Sequence, residues 1–198
     1  TKKQKLLTWQ MWIKVAIASV PAAIVGLLFN DILDKIFYKP FPVAVMLIVY
    51  GVLFNVIENR NAGRRPSVNK IADLSMSMLL WIGFFQMLAL IPGTSRSGAT
   101  IVGALIIGVS REIAAEFTFF LAIPVMFGAS LLKIVKFGLA FTSTQLIVLI
   151  VGMVVSFLVS IAAIKFLLGY IKKNDFKAFG VYRIILGLLV IVYFAFIK

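Results

Sequence analysis

Long apolar runs alternate with short polar connections along this chain, at a spacing set by membrane thickness rather than by a soluble core. A spanning helix needs about 20 predominantly apolar residues. Trp9 to Phe29 meets that length, with Trp9 and Trp12 as interface anchors and Pro21 as an expected kink. Asn30 to Pro40 is a connection whose two acids and two lysines cancel, and Phe41 to Ile57 is a second, shorter span. Glu58 to Asp73 is polar, with Asn61-Ala62-Gly63 as a turn signal and Pro66 as a breaker. Leu74 to Ile91 is a third apolar segment. Ile101 to Val109 has only nine residues, about 14 Å as a helix, and cannot cross a hydrocarbon core of about 30 Å. It reads as a half-helix. Three further spans are expected at about 112–136 (Pro124 inside it), 144–169 and 181–197, with a turn from Phe137 to Ser143. Ser110 is placed to cap the first of these, with Glu112 in its first turn, and Ser156 and Ser160 offer the second a close-packing pair.

The pattern therefore predicts a single transmembrane domain over residues 1–198. It is an all-α polytopic helical bundle of five full crossings plus a broken, re-entrant helix pair. Broken helices accompany inverted repeats, and half of such an architecture is expected, although no internal repeat is visible in the sequence. Gly98, Gly103 and Gly108, with Ala99 and Ala104, give the half-helix a small-residue surface for close packing.

Composition narrows the class. The chain is 62% hydrophobic and 14% charged, with a mean hydropathy of +1.08, so it could not cover a water-facing surface with polar groups. It has no cysteine, which excludes disulfides and thiolate chemistry, and no histidine, which removes the commonest general base and metal ligand. The net charge of +13 raises the question of nucleic acid, but the placement of the charges answers it. Arg60, Arg64, Arg65 and Lys70 fill one loop, and Lys165, Lys172, Lys173 and Lys177 flank or fill another. Both read as cytoplasmic by the positive-inside rule, in contact with anionic membrane lipids and not with nucleic acid. Lys2, Lys3 and Lys5 fall on the same side after two crossings. The sequence opens on Thr1 rather than Met, and its natural N-terminus is expected to lie upstream.

Between the third apolar segment and the half-helix runs Ile91-Pro92-Gly93-Thr94-Ser95-Arg96-Ser97-Gly98-Ala99-Thr100, a polar stretch with one cation at membrane depth. An ionisable residue there is a functional-site hypothesis by default. Pro92 ends the preceding helix, and Gly93 and Gly98 permit close approach of backbone to a ligand. Thr94, Ser95, Ser97 and Thr100 offer hydroxyls, and a helix beginning near Ser97 or Gly98 directs free N–H groups and a positive dipole end at the loop. Arg96 adds a planar fork that matches phosphate oxygens. The set favours an anion, and phosphate fits it. A capped turn whose arginine pairs with a carboxylate or with carbonyl oxygens is the plainer alternative.

Pro92 to Thr100 resembles the P-G-x-S-R-S-G-x-T signature of bacterial undecaprenyl pyrophosphate phosphatases, the bacitracin-resistance family. The resemblance extends to Gly83-Phe84-Phe85-Gln86, to Ala114–Pro124 and to Phe179-Gly180-Val181-Tyr182-Arg183, so it covers most of the chain. It implies a hydrolase that removes the terminal phosphate of undecaprenyl pyrophosphate, regenerating the lipid carrier of cell-wall synthesis. It also implies two re-entrant helix pairs in an inverted repeat, and a multi-pass protein of the bacterial inner membrane with its site toward the outer face. The substrate would be a polyprenyl pyrophosphate, with a homodimer as a candidate assembly and a divalent cation (Mg²⁺ or Ca²⁺) as a candidate cofactor. Carried over, Arg96 binds and neutralises the pyrophosphate, and Ser95 is nucleophile or phosphate donor. Thr100 is a further phosphate contact, and the loop's own chemistry adds Thr94, Ser97 and Gly98 as candidate phosphate-binding residues.

One part of the family pattern is missing. The glutamate pair spaced E-x-x-x-E, followed by a serine-rich stretch with a histidine, has no counterpart here. The numbered chain is expected to lack that segment and to be catalytically incomplete by itself, with its metal ligands undetermined. Glu112 and Glu116 share the spacing, but their flanks belong to the region after the signature, and dipole complementation and a polar bundle role are expected of them. The missing acids keep a second function open, a transporter or flippase for a lipid phosphate or small anion. Gln86 is a candidate second contact to the cavity or a helix–helix hydrogen bond. Arg183 is expected to snorkel or pair, with a substrate role as the lesser reading. Asp73 reads as an acid at the start of the third helix, and Lys14 as a snorkelling residue of the first span.

Overall fold

The computed structural model describes residues 2–138 and 142–196, without the side chains of 2–7, 30, 31, 34, 136 and 137. Among the described residues the chain forms seven α-helices: α1 (Lys2–Phe37), α2 (Pro40–Asn61), α3 (Met76–Leu88), α4 (Arg96–Ile106), α5 (Arg111–Phe137), α6 (Ser143–Ile171) and α7 (Lys177–Phe196). A short 3-10 turn, Ile71–Asp73, precedes α3. Five of the helices carry stretches long and apolar enough to cross a membrane, and α3 and α4 are the short apolar pair. The protein is an all-α, multi-pass membrane protein.

The helix ends differ from the apolar runs wherever a cap or a proline decides. The connection expected from Asn30 is helical as far as Phe37, because the first proline that can stop α1 is Pro40. That proline then starts α2, at a position where its missing N–H costs nothing. The second helix continues past Ile57 to Asn61, so Glu58 is helical and not part of the loop. The third segment is helical only over Met76–Leu88, and Ser75, not Asp73, caps it by accepting the Met78 N–H. The half-helix begins at Arg96, five residues before the apolar run at Ile101 and next to the start near Ser97 or Gly98 that the polar stretch suggests, because Ser95 accepts the Gly98 N–H. It stops before Gly108, whose φ of +84° no side-chain-bearing residue adopts readily. Ser110 caps α5 through the Ile113 N–H. A capping box between Thr142 and Gln145 starts α6, and α7 begins at Lys177 rather than Val181.

Packing organises these helices around α4. It lies against α3, α5 and α2, while α1 covers α3 and α2 runs beside α7. Every residue of α4 from Gly98 to Leu105 is buried, as a half-helix at membrane depth requires. A methyl on Gly103 would stand 2.6 Å from the Phe85 ring of α3, and one on Gly83 would stand 2.6 Å from the Ala18 carbonyl of α1. Helices α2 and α7 touch backbone to backbone: a Cβ at Gly51 would lie 2.6 Å from the Gly180 carbonyl oxygen. These are the close approaches that small residues allow in lipid. By contrast α6 stands outside the bundle, exposed from Ser143 to Phe166. Among the described residues Ser156 and Ser160 therefore pack against no neighbouring helix, a correction to the expected pairing. Lipid serves α6 as well as protein would, since burial between helices gains it no hydrophobic advantage. Lys14 is a second correction. Its ammonium donates to the carbonyls of Ile71, Ala72 and Leu74, closing the turn before α3 instead of reaching for water.

Candidate functional site

The loop between α3 and α4 is a run of tight turns. Ala89, Leu90 and Ile91 each donate back to the carbonyl three residues earlier, and Thr94 N–H donates to the Ile91 carbonyl at 3.1 Å. Pro92 has no N–H to continue the ladder. Gly93 follows with φ +89°, and its α-carbon faces Val43 of α2 so closely that a Cβ would lie 2.8 Å from the Val43 Cα. Only glycine meets both demands. The chain then turns into α4 at Ser95.

Ser95 spends its Oγ on the Gly98 N–H at 3.1 Å and lies 3.1 Å from the Ser97 Oγ. The first N–H groups of α4, those of Arg96 and Ser97, have no acceptor within the helix and point out of its N-terminus. Ser97 is exposed beside them. Arg96 is half-buried, and its Nη1 donates to the Ala122 carbonyl of α5 at 3.3 Å. Arg96 thus shares this helix end with the two hydroxyls, its guanidinium turned to α5.

Thr100 is placed elsewhere. Its Oγ1 turns inward to the carbonyls of Arg96 and Ser97 and to the Thr118 Oγ1 at 2.9 Å, tying α4 to α5 with 1% exposure. Gln86 is also buried, on the stripe of α3 with Leu79, Ile82 and Gly83 that faces α1. Its Nε2 has no protein partner. Glu112 sits at the far end of α4, and Glu116 lies level with its middle. The Thr100–Thr118 and Arg96–Ala122 contacts fix an antiparallel register, which puts Glu112 roughly 15 Å from Arg96 along the helix axis. Glu112 pairs there with Lys172 at 3.3 Å, both exposed, and Glu116 is half-buried. A cleft of about 250 Å³ lined by Gln10, Met11 and Lys14 lies beside the Ile71–Ala72 turn, away from the loop.

A residue given only a minor functional weight in the sequence completes the cluster. Arg183 of α7 donates from Nη2 to the Gly93 carbonyl at 2.7 Å, beside Tyr50 of α2. Its Nε is buried without a protein partner, and so is the Thr94 Oγ1. Arg183, the N-terminus of α4 and two buried polar atoms without a partner among the described residues therefore share one loop, and Arg96 opens the helix that follows it with its guanidinium on α5. A buried donor left unpaired costs about 1–3 kcal/mol, so this arrangement calls for an oxygen-rich ligand. The signal for Arg183 was its place in a span, where a guanidinium without purpose is expensive.

Comparison with known proteins agrees with this chemistry. A family model described as bacitracin resistance protein BacA matches residues 1–189. The chain is 62% identical to an undecaprenyl-diphosphatase of Acetivibrio thermocellus, covering 96% of this chain and 70% of that protein. It is 59% identical to the enzyme of that name in Desulfitobacterium hafniense, covering 95% and 68%, and 60% identical to one from Enterococcus faecalis, covering 93% and 67%.

Proposed function

The chain belongs to the bacitracin resistance protein BacA family, and on that premise we propose that it is an undecaprenyl-diphosphatase, a hydrolase of a phosphoric anhydride. The product pair is undecaprenyl phosphate and inorganic phosphate. The observation that carries this reading is that Arg183 of α7 is bonded to the Gly93 carbonyl of the loop that opens α4, whose first residue is Arg96. Phosphoryl transfer needs positioning and charge neutralisation more than covalent help from the protein, and this loop supplies both. Arg96, with the amides of Arg96 and Ser97, would hold the terminal phosphate, and Arg183 would neutralise the phosphate that leaves with the lipid. Ser95 faces the same space. The Gly98 N–H that donates to its Oγ would stabilise negative charge growing on that atom, which supports Ser95 as the group next to phosphorus.

A divalent cation does not fit the residues present. Among the described residues no three carboxylates or other ligating side chains gather, Glu58 and Glu112 lie toward the base of the α3–α4 hairpin, and Glu116 lies midway along α4. No step is therefore routed through a metal. The exposed Arg60, Arg64, Arg65, Lys172 and Lys173 cluster at that same base, which supports an inner-membrane protein whose base faces the cytoplasm and anionic lipid, with the loop toward the outer side.

The test is phosphate release from undecaprenyl pyrophosphate by the full-length protein in lipid. Arg96→Ala and Arg183→Ala should each lower kcat/KM by about 10²-fold or more, as removal of a charge-stabilising donor does. Undiminished release from both variants would refute the site.

A further inference from the structure

We propose that Glu58 is a positioning residue for this reaction: from the base of the hairpin it sets the relative heights of the helices that carry Arg96 and Arg183. The proposal rests on the reading of those two guanidiniums as the pyrophosphate clamp.

Glu58 is 1% exposed, a buried carboxylate in the last turn of α2. Three donors converge on it. Arg111 Nε lies 3.0 and 2.9 Å from its two oxygens, and Arg111 Nη2 bonds Oε2 as well. The Phe176 N–H donates to Oε1 at 3.1 Å. Each donor sits at a junction. Arg111 opens α5 directly after the short link that ends α4, and that link is itself pinned by the loop following α2. Ser67 and Val68 N–H donate to the Gly108 carbonyl, Ser110 N–H donates to the Val68 carbonyl at 2.9 Å, and Asn61 Nδ2 donates to the Leu105 carbonyl at 3.1 Å. Fixing the base of α4 fixes Arg96 about 16 Å away, because 11 helical residues form a rod of that length.

Phe176 performs the same service for α7. Arg183 lies seven residues further on, two helical turns, on the same face and about 10 Å along the axis. One carboxylate thus indexes both helices that carry a cation of the site. Helix α2 closes the frame at the other end, where Val43 lies against Gly93. Two clamps on adjacent phosphates must hold their separation within about 0.5 Å to be effective. A buried ion pair is weak evidence for stability, since an apolar pair of equal volume serves as well, but it is well attested as a device that fixes register. Glu58 sits too far from the loop to touch substrate.

The experiment measures KM for undecaprenyl pyrophosphate and the Kd of inorganic pyrophosphate, on the full-length protein in lipid nanodiscs. Neither constant depends on the fraction of enzyme that is folded. Glu58→Ala should raise both by about tenfold or more, the scale expected for sub-ångström to ångström misplacement. Glu58→Gln, which still accepts from the Phe176 N–H, should raise them less. Combined with Arg183→Ala, Glu58→Ala should add little, because the separation of the two cations that it sets no longer matters once one of them is gone. Arg111→Lys keeps the charge, loses the fork, and is the milder variant should Glu58→Ala not fold; it should raise both constants at least threefold. Constants within twofold of wild type in a folded Glu58→Ala, or in Arg111→Lys, would overturn the proposal, as would full additivity with Arg183→Ala. Failure of the clamp itself is separate: it would appear as an unchanged pyrophosphate Kd in Arg96→Ala.

Discussion

A single methyl group at Gly93 should disable the site while leaving the fold standing. Two costs meet there. The backbone φ is +89°, a region that costs a side-chain-bearing residue about 1–2 kcal/mol. The new Cβ would lie 2.8 Å from the Val43 Cα and nearer still to the Val43 carbonyl oxygen, where carbon atoms prefer about 3.5–4.0 Å. Relieving that contact moves the loop about 1 Å away from α2. The Gly93 carbonyl is the atom that holds Arg183, at 2.7 Å, so the same shift breaks the link between the second guanidinium and the loop. Displacement on this scale costs about 10²-fold in rate. The assay is phosphate release by Gly93→Ala, run beside a thermal melt in detergent. Gly63→Ala is the control, because Gly63 has a φ of +74° but nothing within 4 Å of an added Cβ. It carries the conformational cost without the collision. The reasoning fails if Gly93→Ala retains activity within about threefold of wild type, or if Gly63→Ala loses as much.

The Glu58–Arg111 pair should be asymmetric in stability. Arg111→Ala strands a carboxylate that is 1% exposed and should cost about 3–5 kcal/mol. Glu58→Ala leaves a guanidinium 40% exposed, which can turn to water, and should cost about 1–3 kcal/mol; denaturation in mixed micelles with the order reversed would contradict the burial assigned to the two groups. Thr100→Val should lower the melting temperature, by an amount equivalent to about 1 kcal/mol for the lost hydroxyl pair with Thr118, while kcat/KM stays within about threefold. A loss as deep as that of Arg96→Ala would instead put Thr100 in contact with phosphate.

Much of the fold was legible because lipid imposes simple rules on the chain. Apolar length alone located the five spans, and the shortness of the stretch after the polar loop required a half-helix. What apolar length could not locate were the helix ends, which are settled by atoms and not by hydropathy. Ser95 spends one oxygen on the Gly98 N–H and thereby starts α4 five residues early. Pro40 lets α1 run eight residues into a stretch that looked like a connection. The isolation of α6 was equally illegible. A serine pair four residues apart reads the same whether a helix or lipid lies against it.

The site divides along a different line. Its local part, a capped helix N-terminus with hydroxyls and an arginine, was encoded in nine consecutive residues. Its distant part needed the third dimension. Nothing local to Arg183 says that its Nη2 meets the Gly93 carbonyl, and the sequence favoured snorkelling because a cation near a membrane end has that cheap escape. The structure removes the escape by burying its Nε. Thr100 shows the converse. One turn of helix separates it from Arg96, and that turn sets its hydroxyl about 6 Å deeper on the same face, where Thr118 waits. A motif written as a string gives all its residues equal standing. The helix that carries it aims some at the ligand and others at the bundle. The signature's second threonine is one of those aimed at the bundle, and its hydroxyl holds α4 on α5 through Thr118.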